Sequence, residues 1–144
     1  MINNLQLNDF SFYDIKIGDS FSFERVISGE DVDLFSRLTG DFNPLHMDGD
    51  YASKAGFNGR VVHGMLLVGF FSAMVGMLCP GKKVLYLSQE VKFIKPLYLD
   101  SKITVESVVV AKFEAVKILD LKTSIFDLDR NLIVDGIAKV MMRE

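Results

Sequence analysis

A single cysteine, Cys79, two histidines, three prolines and no tryptophan stand in the 144 residues. One cysteine excludes an internal disulfide, and with two histidines it gives no metal-ligand spacing. Neither sign of charge dominates. The formal net charge of −3 leaves no bulk electrostatic case for a nucleic-acid or membrane-surface partner. There is no GxxxxGK or strand-linked GxGxxG to cradle phosphates. Ser36, Ser53, Ser72, Ser88 and Cys79 all lack a nucleophile-elbow context, so nucleophilic catalysis is disfavoured. The stretch MINNLQLNDFSFYDIKIGD has no basic region followed by an apolar core and cleavage site, and the expectation is a cytoplasmic address. The longest uncharged run, residues 64–81, falls short of the roughly 20 apolar residues of a membrane span. It reads as a helix buried in protein.

What is present suits one globular unit. Nearly half the chain, 49%, is hydrophobic and 24% is charged, so a real core is available over residues 1–144 as a single domain. Residues 1–17 form an expected arm, followed by a turn at Ile17–Asp19 and a short strand. Ser28 is placed to cap a helix with Glu30 and Asp31 in its first turn, and Val32, Phe35 and Leu38 recur at helical spacing as far as Gly40. Pro44 pushes Asn43 out of the α region, predicting an extended loop, and Asp48 starts a second short helix that ends at Gly56. The run from Gly64 to Leu78 is apolar on all sides and predicts a central helix enclosed by other elements. Beyond Pro80 the segments VLYLSQEVKFIKPL, SKITVESVVVAKF, AVKILDLKTSIFDL and NLIVDGIAKVMMRE alternate as strands. Their short connections predict an antiparallel meander. The class is therefore α+β.

Chemistry concentrates in TGDFNPLHMD, residues 39–48. A loop can converge Asp41 and His46, five residues apart, into an acid/base pair, whereas a helix separates them; such pairs contribute about 10²- to 10⁴-fold to rate. The same residues also suit a turn cap and a satisfied histidine. In VHGM, residues 62–65, Gly64 sits where a helix N-terminus begins and its N–H can donate to a developing oxyanion. It equally suits close packing, and His63 suits a hydrogen bond to a neighbouring loop. DLDRNLIVDG, residues 127–136, begins like a calcium loop but carries Leu132 where the turn glycine belongs and lacks a closing glutamate. It reads as a hairpin turn.

Taken together, TGDFNPLHMDGDYASKAGF and GRVVHGML resemble the signature of MaoC-like hydratases and dehydratases, in particular the (R)-specific enoyl-CoA hydratases. Gly40, Asp41, Asn43, Pro44, Leu45, His46, Ala52, Gly59, Arg60, His63, Gly64 and Met65 fall in the family's order and spacing. The resemblance implies a hot-dog fold, an antiparallel sheet wrapped around a central apolar helix. It implies reversible syn addition of water to a trans-2-enoyl thioester, giving a (R)-3-hydroxyacyl thioester without metal, nucleotide or redox cofactor. By the same resemblance Asp41 takes a proton from water, while His46 orients that water and protonates the α-carbon. The Gly64 N–H polarises the thioester carbonyl. Ser72, Asn43, Arg60 and Val75 are substrate-binding candidates, and Val68 and Phe71 join Ser72 and Val75 as candidate tunnel lining. The implied partners are an acyl thioester on coenzyme A or acyl carrier protein and a second copy of the chain, in a homodimer or higher oligomer. A thioesterase and a non-catalytic acyl-CoA-binding module are the competing readings.

Overall fold

A computed structural model describes residues 4–143; residues 1–3 of the expected arm and Glu144 lie outside the described residues. The element order is β1 (Ser20–Ile27), α1 (Gly29–Thr39), α2 (Pro44–Met47), α3 (Gly49–Lys54), α4 (Gly64–Ala73), a π-helical turn (Met74–Leu78), β2 (Val84–Phe93), β3 (Ser101–Phe113), β4 (Ile118–Asp127) and β5 (Leu132–Met142). All five strands join one antiparallel sheet in the order β1-β3-β4-β5-β2. One apolar helix packed on one sheet is the hot-dog arrangement.

The strands lie where alternation predicts them. On β3, Ile103, Val105, Ser107 and Val109 are buried in turn, the period-2 pattern of a sheet with one dry face. Against that face α4 buries Leu67 and Phe71, which join Met74, Ile103, Val105, Ile125 and Val134 in one core cluster. The second cluster gathers Val75 and Cys79 with Phe12 and Ile15 from the arm and Leu119, Leu121 and Val140 from the sheet. The arm is thus part of the core, held by the Asn8 N–H donating to the Met77 carbonyl at 2.8 Å.

Three expectations need correction. The connections do not all make a meander: β3, β4 and β5 are sequential neighbours, but β2 pairs with β5 at the far edge. Residues 94–100 make the crossover. Seven extended residues reach roughly 23 Å, enough for three inter-strand steps of about 4.8 Å each. Pro44 does not hold an extended loop. Asn43 is extended at φ −53° and ψ 130°, as a residue before proline must be, but Pro44 then opens α2 from the first helical position, where its missing N–H is no loss. Finally, α4 is not enclosed. Met65, Gly69 and Ser72 are exposed along one stripe, with Met65 at 59%. Among the described residues no helix is long and apolar enough to cross a membrane.

Candidate active site

The site begins at the end of α1. Ser28 caps that helix, accepting the Asp31 N–H while the Asp31 side chain accepts the Ser28 N–H, and Arg25 pairs with Asp31 at 2.7 Å. At the other end Gly40 turns left-handed at φ 83° and its N–H donates to the Ser36 carbonyl. Helix and cap together fix the point from which Asp41 departs. Asp41 Oδ1 accepts the Asn43 N–H at 3.1 Å, and Asn43 Oδ1 in turn accepts the Leu45 N–H at 3.0 Å to cap α2. His46 stands on that single turn of helix, directed back toward the aspartate.

Two carbonyl contacts decide how the histidines are protonated. His46 Nδ1 lies 2.7 Å from the Val61 carbonyl, and only an N–H can donate there, so in the neutral ring Nε2 carries the lone pair. His63 Nε2 lies 3.1 Å from the Asp41 carbonyl, with Ser36 Oγ at 3.3 Å, so Nε2 carries its proton. Its Nδ1 is buried and unpartnered, which costs less for a lone pair than for an N–H. The His46 and His63 rings stack at 3.8 Å between centroids and 28° between planes. Phe35 closes the opposite side of His63, 4.8 Å away. Burial pushes the His63 imidazole below its ordinary value of 6.5, against the opposing pull of the Asp41 carbonyl.

The cluster is compact. Asp41, His46 and His63 each offer a donor atom, and these atoms lie within 4.8 Å of one another. Hydrogen bonds to a shared water are about 2.8 Å each, so one water bridges such a gap. Asp41 is 49% exposed and His63 only 2%, giving a wet carboxylate beside a dry imidazole. Gly64 follows His63 as the first residue of α4, where a backbone N–H has no intrahelical acceptor and the helix dipole is positive. His46, Gly64, Met65, Leu67, Phe93, Leu97 and Val134 line a cavity of ≈ 350 Å³. A Cβ on Gly64 meets Phe93 Cε1 at 2.6 Å, so glycine is required for the ring to lie over this helix start.

The remaining predicted site residues fall at different distances from this centre. Arg60 is a brace: Nε donates to the His46 carbonyl at 2.5 Å and a terminal nitrogen pairs with Asp33 at 2.5 Å. It ties the end of α2 to α1. Asn43 shapes the loop as described. Ser72 is exposed two turns along α4, and Val75 is 1% exposed inside the second core cluster. Neither Ser72 nor Val75, nor Val68 or Phe71, lines the cavity at Gly64; Leu67, Leu97 and Val134 do so instead.

The MaoC-like domain family matches residues 14–124. The chain belongs to that family. A (R)-specific enoyl-CoA hydratase of Rhodospirillum rubrum is 35% identical over 91% of this chain and 90% of its own length. A mitochondrial 3-hydroxyacyl-[acyl-carrier-protein] dehydratase of Arabidopsis thaliana is 34% identical over 89% of this chain and 78% of its own. The solved (R)-hydratase of Aeromonas caviae superposes with a TM-score of 0.86 at 35% identity, covering 89% of this chain and 97% of that one. The MaoC-like signature in the sequence contains His63, and the hydrogen bond to a neighbouring loop expected of it is made to the Asp41 carbonyl, but spacing does not say which loop. The residues it meets, Ser36 and Asp41, are 27 and 22 positions away, and only the fold brings them together.

Proposed function

We propose that this MaoC-like protein is an enoyl thioester hydratase, interconverting a trans-2-enoyl thioester and the (R)-3-hydroxyacyl thioester. The observation that carries the reading is that His46 and the first residue of α4 line one cavity while the Asp41 carboxylate stands one water away from the histidine pair. Asp41 accepts a proton from water as the water oxygen bonds to the β-carbon. The electron pair of the alkene moves toward the thioester carbonyl, where the Gly64 N–H receives the developing negative charge. His46, charged at Nε2, delivers a proton to the α-carbon on the same face. Transfer of the Asp41 proton to His46 restores both groups, so atoms and charge balance without an oxidant or reductant.

The substrate is an acyl thioester, carried on coenzyme A or acyl carrier protein, and the working unit contains at least two copies of the chain. The exposed stripe of Met65, Gly69 and Ser72 on an otherwise apolar helix supports that assembly. The chemistry runs on the protein's own groups, without a metal, nucleotide or redox cofactor.

Purified protein mixed with crotonyl-CoA is expected to bleach the conjugated enoyl absorbance, and chiral analysis is expected to return the (R)-alcohol. Release of free thiol with the double bond intact makes it a thioesterase instead. Failure to turn over short, medium and branched enoyl thioesters on either carrier leaves a binding module. Chelator treatment is expected to leave the rate unchanged; loss of activity with recovery on adding a divalent ion overturns the metal-free route through Asp41 and His46.

A further inference from the structure

We propose that His63 is the positioning residue of this site, its ring stacked on His46 and its Nε2–H bonded to the Asp41 carbonyl so that one side chain spaces the two proton-transfer groups. The inference rests on the hydration reading for what those groups do, and on geometry alone for how they are held.

His63 touches both partners and neither contact substitutes for the other. Its Nε2 reaches the Asp41 backbone at 3.1 Å, fixing the point from which the carboxylate extends, while its face lies 3.8 Å from the His46 ring. As the residue immediately before Gly64, it also stands at the N-terminal boundary of α4 in an extended conformation, φ −57° and ψ 127°, its carbonyl accepting the Leu66 N–H at 3.1 Å. A shift of this one residue therefore moves the carboxylate, the imidazole and the N–H relative to one another. Misplacement by about 1 Å is enough to cost roughly 100-fold in rate.

The ring must also stay neutral. Around it stand Phe35 and Ser36 from α1, Asp41 from the loop, His46 from α2 and Arg60 from the loop before α4. With Arg60 and a protonated His46 near, a second imidazolium is disfavoured, whereas the face of a neutral ring attracts a cation on His46. A neutral His63 is thus suited to a neighbour that gains and loses a proton in each cycle.

The test divides the two contacts. His63→Phe keeps a ring for stacking and removes the donor; His63→Gln keeps a donor near Nε2 and removes the ring. Each is expected to lower kcat by about tenfold or more with KM within about twofold, and to displace the pH profile of kcat. Since the chain has two histidines, nitrogen-15 spectra of the imidazoles resolve both, and His46→Gln assigns them. Wild-type protein is expected to show His63 as the neutral Nε2–H tautomer throughout the range in which His46 titrates, and the His46 midpoint is expected to move in both His63 variants. Wild-type kcat and an unmoved His46 titration in folded variants overturn the proposal. If His63→Phe does not fold, His63→Gln and the wild-type spectra decide, and an Nδ1–H tautomer or titration near 6.5 for His63 overturns it. Should wild-type protein hydrate no enoyl thioester, the functional reading fails while the spectra still judge the arrangement.

Discussion

Asp41 is exposed to water on one side and held by Asn43 on the other, so substitution there is expected to spare the fold. Asp41→Asn and His46→Gln should each reduce turnover by about 10²-fold or more with melting temperatures close to wild type, in line with general acid/base catalysis. Burial has a separate consequence at His63. The folded imidazole binds a proton less readily than the unfolded one, whose ordinary value is 6.5, so protons favour unfolding. Stability should decline as pH falls below about 6.5, and His63→Gln should flatten that decline in denaturant titrations at stepped pH. Cys79 shows the same force on a thiol: burial raises it to about 12, so thiol reagents are expected to label it only after denaturation. At this scale the sequence was informative where chemistry is local. Asp41 and His46 share one turn, and Gly64 announces itself as a helix start without a side chain. For His63 the sequence offered a hydrogen bond to a neighbouring loop, which the Asp41 carbonyl accepts, but not the stacking on His46, because each of its partners arrives from another element.

Elements act here as mounts. The α1 helix matters less for its length than for the direction in which it launches Asp41, and its capping box holds its other end. Ser28→Ala is expected to cost about 1 kcal/mol of stability, read as a lowered denaturant midpoint. The start of α4 is built differently, with a glycine beneath an aromatic ring. In Gly64→Ala the new methyl group displaces Phe93, a residue 52% exposed and free to rotate toward solvent. The melting temperature should change little, while kcat/KM should fall about tenfold or more because a methyl group and a displaced ring now intrude on the cavity. Caps, strand alternation and the turn at Leu128–Asn131 were readable because each depends on neighbours in sequence. The short α2 helix was not, since a proline both ends helices and opens them, and Asn43 as the cap decides between the two.

For the whole molecule, Phe21 packs against both core clusters, and calorimetry is expected to give one cooperative transition. Leu38 is 85% exposed and Met65 59%, apolar side chains of the kind that the proposed assembly would cover. Sedimentation should report a dimer or larger assembly at micromolar concentration, and a monomer there removes the assembly from the proposal. Strand count and sheet class could be read from alternation, but strand order could not. Seven connecting residues reach several positions, and the pattern that buries one face of β2 is satisfied beside β5 as well as beside β3. That order has a temporal meaning. Each edge strand pairs only with a strand made far later, as Ser20 does with Val108 and Val84 with Met142. During synthesis the loop of Asp41 and His46 and the apolar α4 helix are therefore made before any strand that pairs with β1 or β2. Of the sheet residues that α4 packs against, Ile103, Val105, Ile125 and Val134 all lie between positions 101 and 142, so the last third of the chain completes the core begun by the first two.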